Sequence, residues 1–230
     1  MAQEKIAAII AAAGGSKRMA GIDKLFASLC GRPVLAYTLE AFLAVPVIQQ
    51  IVLVLSERNR HDGQALVDAL DHRGKDVRVC LGGQQRQDSV RQGLAATSGV
   101  RWVVIHDGAR PLVTVEIILA GLREAQATGA AVAAVPVKDT VKVVDPVSFS
   151  VRETLPRSEL WAVQTPQVFR YDLIALAHRE AVGEVTDDAS LIEQLGGVVR
   201  VYTGSYENIK ITTTEDLLLA DQIVRKRSAG

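Results

Sequence analysis

Ile6-Ala7-Ala8-Ile9-Ile10-Ala11-Ala12-Ala13-Gly14-Gly15-Ser16-Lys17-Arg18-Met19 is the stretch that decides the fold. Its first half is apolar without alternation, the pattern of a strand covered on both faces. It then stops at small residues. A strand end built from Ala12, Ala13, Gly14, Gly15 and Ser16 lets a ligand approach the backbone, and successive N–H groups there can cradle phosphate. Two familiar phosphate loops are excluded. No Gly-Lys-Ser/Thr follows, as a Walker A loop requires. Ser16 and Met19 occupy the second and third glycine places of the dinucleotide fingerprint. What remains is a short glycine loop followed by Arg18 and then Lys24, two cations suited to negative charge building on phosphate. Ordinary surface cations on a turn are the competing reading.

Outward from this stretch, short apolar runs alternate with amphipathic ones. Residues 6–13, 51–55, 77–81, 102–105, 130–135 and 198–202 read as strands, and 34–43, 64–70, 89–96 and 115–126 as helices, with Asp88 as N-cap of the third helix. Residues 172–181, 189–195 and 216–226 read as further helices, the second capped by Thr186 or Asp187. The rhythm predicts one α/β domain over 1–230, a Rossmann-like, mostly parallel sheet with helices on both faces. Residues 136–159 break it. Pro136, Pro146 and Pro156 punctuate a stretch with alternating residues such as Val141-Lys142-Val143, which predicts a projecting β-ribbon arm.

Composition narrows the partners. The 230 residues are 48% hydrophobic, enough for a full core, and 26 basic residues balance 26 acidic ones. A duplex-binding protein carries a basic surplus, so no nucleic-acid partner is expected. The start, Met1-Ala2-Gln3-Glu4-Lys5, does not read as a signal peptide. No run is long enough to span a membrane, so no membrane partner and a cytoplasmic location are expected. Cys30 and Cys80 lie far apart, and His61, His72, His106 and His178 have no ligand spacing, which argues against disulfide scaffolds and protein-built zinc sites. His106-Asp107 follows a predicted strand and therefore sits at the sheet edge where open α/β folds bind ligands. Asp107 can accept from hydroxyls, face a magnesium shell, or simply cap the next turn. Gly82-Gly83 can bring backbone groups close to a pyrimidine edge, with Ser89 adding a hydroxyl, or form a plain turn before a helix.

Several segments, taken together and in order, carry a family resemblance. They are Ala12-Ala13-Gly14-x-x-x-Arg18-Met19, Asp23-Lys24-Leu25, and Leu29-Cys30-Gly31-Arg32-Pro33-Val34-Leu35. Gly82-Gly83-Gln84-Gln85-Arg86-Gln87-Asp88-Ser89-Val90 and His106-Asp107-Gly108-Ala109-Arg110-Pro111 follow. Then come Val137-Lys138-Asp139-Thr140-Val141-Lys142, Arg157-Ser158-Glu159-Leu160-Trp161, Gln164-Thr165-Pro166-Gln167, Thr186-Asp187-Asp188-Ala189-Ser190 and Asn208-Ile209-Lys210. Nearly the whole chain resembles the 2-C-methyl-D-erythritol 4-phosphate cytidylyltransferases among the sugar-phosphate nucleotidyltransferases. It departs from them at Ser16, where the family often has a second glycine.

The resemblance implies a single nucleotidyltransferase domain. It implies that CTP is held by 12–16, Gly82, Gly83, Arg86, Ser89 and Asp107, with Mg2+ bound mainly through the CTP phosphates, and that a polyol phosphate is held by Asp107, Arg110, Thr140, Arg157, Thr165 and Lys210. Arg18, Lys24, Arg157 and Lys210 take the catalytic roles. Residues 136–159 become a dimerisation arm that carries Thr140 and Arg157 into the neighbour's site of a homodimer. The nearest alternative is a ribitol 5-phosphate cytidylyltransferase, although the Asp139-Thr140-Val141-Lys142 and Arg157-x-x-Leu160-Trp161 segments favour methylerythritol phosphate. From other classes, a nucleotide-sensing module and a dinucleotide oxidoreductase compete. The latter needs an acidic residue about 20 residues past its glycines, and Glu57 lies well beyond that.

Overall fold

A computed structural model describes residues 4–14 and 23–228. Gly15, Ser16 and Arg18 lie outside the described residues. A seven-stranded sheet forms the centre. Its strands are β1 (Ile6–Ala12), β4 (Gln50–Leu55), β5 (Asp76–Leu81), β6 (Trp102–Asp107), β7 (Ala130–Pro136), β10 (Trp161–Arg170) and β11 (Arg200–Thr203), in the order β11-β7-β10-β6-β1-β4-β5. A minimal hairpin of β2 (Ser28–Leu29) and β3 (Arg32–Pro33) precedes the first helix. Helices α1 (Val34–Leu43), α2 (Arg60–Ala69), α3 (Arg86–Ala95), α4 (Val115–Ala125), α5 (Tyr171–Glu180), α6 (Ala189–Gln194) and α7 (Thr214–Ser228) complete the chain. Among the described residues, no helix is long and apolar enough to cross a membrane.

The unalternating strand sequences find their cause in the layers. Side chains of successive strand residues point to opposite faces. Ala8, Ile10, Leu53 and Val104 pack on one face with Leu35, Leu39 and Phe42 of α1 and Ile118 and Leu122 of α4. Ile9, Val52, Val54, Val103 and Ile105 pack on the other with Val90 and Leu94 of α3, Ile174 of α5 and Leu191 of α6. Each face has its own core, so every position must be apolar. Gly93 lets α3 lie directly on β1, since a Cβ there would sit 2.5 Å from Ile9 Cγ2.

Two sequence expectations are corrected. Asp88 is not the N-cap of α3. The helix begins at Arg86, Gln85 is the N-cap, and Asp88 sits one turn inside, accepting from Gln85 N at 3.3 Å. The first turn is polar, so apolar periodicity places the helix start too late. The set of predicted strands also omits β10, which runs antiparallel between β6 and β7 in the middle of the sheet. Gln164-Thr165-Pro166-Gln167 interrupts its apolar pattern, and its register slips between Val163 and Gln167, which accommodates a proline that a regular central strand excludes. The other strands run parallel, with β11 at the edge beside β7. Residues 136–159 do form a ribbon, from β8 (Lys142–Val144) and β9 (Val151–Thr154), paired antiparallel and exposed along both strands.

The chain builds β1, β4 and β5 outward on one side and then returns to place β6 on the other side of β1. The crevice outside the carboxyl ends of β1 and β6 is therefore the switch point at which open α/β sheets bind ligands.

Candidate active site

Two adjoining clefts of about 220 and 470 Å³ open at that switch point and share Arg86, Asp107 and Lys210. The end of β1 (Ala12, Ala13 and Gly14), Lys24 and the start of α3 line the first cleft. Arg110, Gln164, Thr165 and the segment before α6 line the second.

Asp107, the last residue of β6, is the centre. Its Oδ2 lies 3.0 Å from Lys210 Nζ and 3.3 Å from Arg110 Nε, and its Oδ1 lies 3.5 Å from Arg86 Nε. Burial works against its charge, yet Lys210, Arg86 and Arg110 hold the carboxyl well below the usual carboxylate range. Lys24, Arg86 and Lys210 outnumber Asp107 along the first cleft and leave it a positive excess, whereas Asp107, Asp187 and Glu193 balance Arg86, Arg110 and Lys210 along the second. Asp107 is thus more than a turn cap, although its backbone carbonyl does accept from Arg110 N at 3.0 Å.

Neighbouring polar groups lock this arrangement. Thr165 Oγ1 accepts from Asp107 N at 3.0 Å and lies 3.1 Å from His106 Nδ1. His106 Nε2 lies 3.1 Å from the Arg110 carbonyl. These partners are consistent if Nε2 carries the proton and Thr165 donates to Nδ1. Burial pushes the His106 pKa down to about 4, so near neutral pH it is an uncharged strut with both nitrogens engaged, and no general base. Arg110 Nη1 donates to the Asn208 carbonyl at 2.8 Å, Asn208 Nδ2 donates to the Thr165 carbonyl at 2.8 Å, and Ile211 N donates to the Ala109 carbonyl at 2.8 Å. Through these bonds the 208–211 segment is fastened to the end of β6, which brings Lys210 into the site.

At the first cleft, Gly83 N donates to Ser89 Oγ at 3.2 Å, and that hydroxyl donates to the Gln85 carbonyl at 3.1 Å. Ser89 therefore shapes the loop and offers the cleft only a remaining lone pair. Gly82 is required by close approach, because a Cβ there would meet Ser89 Oγ at 2.5 Å and Ala13 Cβ at 2.6 Å. Gly83 lines the cleft, whereas Gly82 packs just behind it.

Of the remaining predicted site residues, Lys24 lines the first cleft, and Thr165 and Arg110 line the second. Thr140 and Arg157 line neither. Both are exposed near the ribbon, where Arg157 Nη1 donates to the Lys138 carbonyl at 2.7 Å. Motif reading did not single out Gln164, Gln167, Asn208 or Asp188, because each acts through a contact remote in sequence. Gln164 and Gln167 stand out in advance only as polar residues between the apolar stretches 161–163 and 168–169, and Asn208 and Asp188 only as members of segments that carry the family resemblance. Among the described residues no group of three His, Cys, Asp or Glu could hold a metal. Asp107, the one carboxylate among the described residues lining the first cleft, is already ringed by cations.

An open α/β sheet with a small-residue strand end and a cationic crevice at its switch point defines a nucleotide- and phosphate-binding class of protein. The chain belongs to the family of IspD, 2-C-methyl-D-erythritol 4-phosphate cytidylyltransferase, whose model matches residues 6–226. It is 51% identical over 223 residues to the 2-C-methyl-D-erythritol 4-phosphate cytidylyltransferase of Dehalococcoides mccartyi, with 97% of each chain covered. It is 43% identical to that of Caldanaerobacter subterraneus, over 96% of this chain and 99% of the relative. Its structure resembles 4-diphosphocytidyl-2C-methyl-D-erythritol synthase from Anaerococcus prevotii, with a TM-score of 0.86 at 31% identity, covering 97% of this chain and 99% of the other.

Proposed function

We propose that this protein transfers a cytidylyl group from CTP to 2-C-methyl-D-erythritol 4-phosphate, giving 4-diphosphocytidyl-2-C-methyl-D-erythritol and pyrophosphate. The observation that carries the chemistry is the Asp107 cluster, with Arg86, Arg110 and Lys210 at the seam between two clefts. The acceptor phosphate attacks the α-phosphorus of CTP in line. A phosphate monoester has a second pKa of about 6, so it is largely a dianion near neutrality and needs no base. That agrees with a site whose histidine is neutral and fully engaged. The obstacle is repulsion between anions, and fixed cations aimed at the developing charge are the remedy. Lys24, with Arg18, is assigned to the triphosphate. Lys210 and Arg110 are assigned to the acceptor.

The described residues do not by themselves make a metal centre, so Mg2+ is proposed to be bound mainly by the CTP phosphates, where it would supply charge neutralisation. A homodimer is part of the same reading. The exposed ribbon, and the placement of Thr140 and Arg157 outside their own chain's clefts, support an arm that completes the partner's acceptor site. A cytoplasmic setting belongs to it as well.

The test is pyrophosphate release from each nucleoside triphosphate with each acceptor, with and without Mg2+. CTP with methylerythritol phosphate and metal should be the productive combination. Higher kcat/KM with ribitol 5-phosphate would overturn the acceptor. CTP binding without pyrophosphate release from any pair would point to a sensor.

A further inference from the structure

Arg86 is the one side chain of α3 that borders both clefts, and its anchorage lies away from them. Its Nη1 sits 2.6 Å from Asp188 Oδ2, while its Nε reaches Asp107 Oδ1 at 3.5 Å. The closer and deeper partner is therefore Asp188, which is only 1% exposed. Asp188 stands just before α6, where a carboxylate commonly caps the helix. That task is taken by others. Asp187 Oδ1 accepts from Ser190 N at 3.1 Å, and Gln167 Oε1 accepts from Asp188 N and Ala189 N, both at 3.2 Å. Gln167 Nε2 also donates to Asp187 Oδ2 at 2.8 Å. The Asp188 carboxylate is thus left to face Arg86 on one oxygen and His178 Nε2, at 3.2 Å, on the other. His178 is itself 2% exposed, and its backbone carbonyl accepts from Arg91 Nη2 of α3 at 3.2 Å. The chain of contacts His178–Asp188–Arg86–Asp107 runs from α5 through the start of α6 to the seam of the site.

We propose that Asp188 is a positioning residue for the reaction: with His178 behind it, it holds the Arg86 guanidinium across the boundary between the two clefts, where the phosphates of both substrates must meet. An arginine tied only to Asp107 at 3.5 Å would be free to rotate toward either anion. Tied to a buried carboxylate, it keeps one orientation while the ligands exchange, and a planar guanidinium offers its remaining N–H groups in a fixed fork. Gln167 adds the frame, because it holds Asp187 and Asp188 to β10.

The inference uses the proposed cytidylyl transfer for one of its two readouts, so the experiment carries a second that needs no turnover. Asp188→Asn, Arg86→Ala and the double variant are compared with the unsubstituted protein. The measurements are pyrophosphate release, calorimetric affinity for inorganic pyrophosphate, and thermal midpoint. Asp188→Asn should lower kcat/KM by about 10–100-fold, the range for residues that orient a ligand-binding group, and should weaken pyrophosphate binding. In the Arg86→Ala background the same change should cost nothing further, because the residue acts through Arg86. It should also raise the thermal midpoint there, because it removes a buried carboxylate left without its cation. Losses that multiply across the two positions, or a midpoint that falls equally in both backgrounds, would overturn the proposal in favour of a purely architectural role. Asp188→Glu, which keeps the charge but displaces it, is the second variant should the amide not fold. Its loss must likewise vanish without Arg86. If the unsubstituted protein releases no pyrophosphate, the proposed function fails while the binding comparison still decides the role of Asp188.

Discussion

Around Asp107, a buried carboxylate is held by three cations, and hydrogen bonds within the same chain fasten the backbone of Asp107, Thr165 and Asn208. Around the β8–β9 ribbon, Val147 is 87% exposed and Phe149 81% exposed, and the side chains of both strands face outward. The first region is over-determined by its own chain. The second is a two-stranded ribbon of a kind that is marginal in water alone, and it carries apolar side chains with no cover in the protomer. In the proposed dimer these two regions would meet, the ribbon of one protomer covering its apolar side chains on the partner and adding Thr140 and Arg157 to the partner's clefts.

The largest expected effect falls on the cleft. Lys24→Ala, and Arg18→Ala with it, should lower kcat about 10²–10³-fold, the usual loss on removing one transition-state charge stabiliser, with the fold retained by circular dichroism. A variant that kept kcat and only raised the KM for CTP would make Lys24 a ground-state binder instead.

The next prediction joins the two regions. Lys24→Ala and Arg157→Ala proteins, each nearly inactive, are mixed and allowed to exchange subunits. If the ribbon serves the partner, one site of each hybrid collects both lesions and the other collects neither, so activity returns. Hybrids that verifiably form yet stay inactive would confine both residues to one chain's site and leave the ribbon without its role.

His106 sharpens the contrast through pH. Its folded pKa lies at about 4, below the ordinary value of 6.5, because burial opposes the charge. The unfolded chain therefore binds more protons between those values, and stability rises with pH across that window. The contribution is fully present above about 6.5 and is lost as pH falls towards 4. It amounts to at most about 3.4 kcal/mol at 1.36 kcal/mol per pKa unit. In His106→Asn, the denaturant midpoint should change less between pH 7 and pH 4 than in the unsubstituted protein. An unchanged slope would show that the strut is not buried as described.

The smallest effect on the protomer belongs to the ribbon. Val147→Ser with Phe149→Ser should alter unfolding free energy by less than about 0.5 kcal/mol per site, as for surface positions, yet shift sedimentation toward monomer at low concentration. Equal sedimentation at every concentration would mean that these side chains cover nothing.

Much of this was legible from one end of the chain to the other. Residues 6–13 read as a doubly covered strand, and the structure ends β1 at Ala12 with Ala13 and Gly14 in the cleft. Helix α1 falls on 34–43 as its periodicity predicts. His106-Asp107 reads as a sheet-edge pair because it follows an apolar run, and it lies there. Strand β10 was hidden, since Pro166 and three buried polar residues break the pattern by which a strand is recognised, and their partners lie elsewhere in the chain. Asp188 stands within a family segment but shows no role there, because the cation that gives it one lies about a hundred residues away in sequence.

What the sequence determined by itself was the layered α/β architecture, the small-residue strand end and the exposed arm. Those depend on local composition and on a periodicity of two or of about 3.6, which neighbouring residues display without help. The tertiary structure alone decided that Asp107 is shared among Arg86, Arg110 and Lys210, that His106 is a neutral strut, and that Asp188 backs Arg86. These are properties of pairs. A carboxylate's charge state and a guanidinium's orientation are set by burial and by the nearest opposite charge, and the chain brings those together only when the sheet has formed.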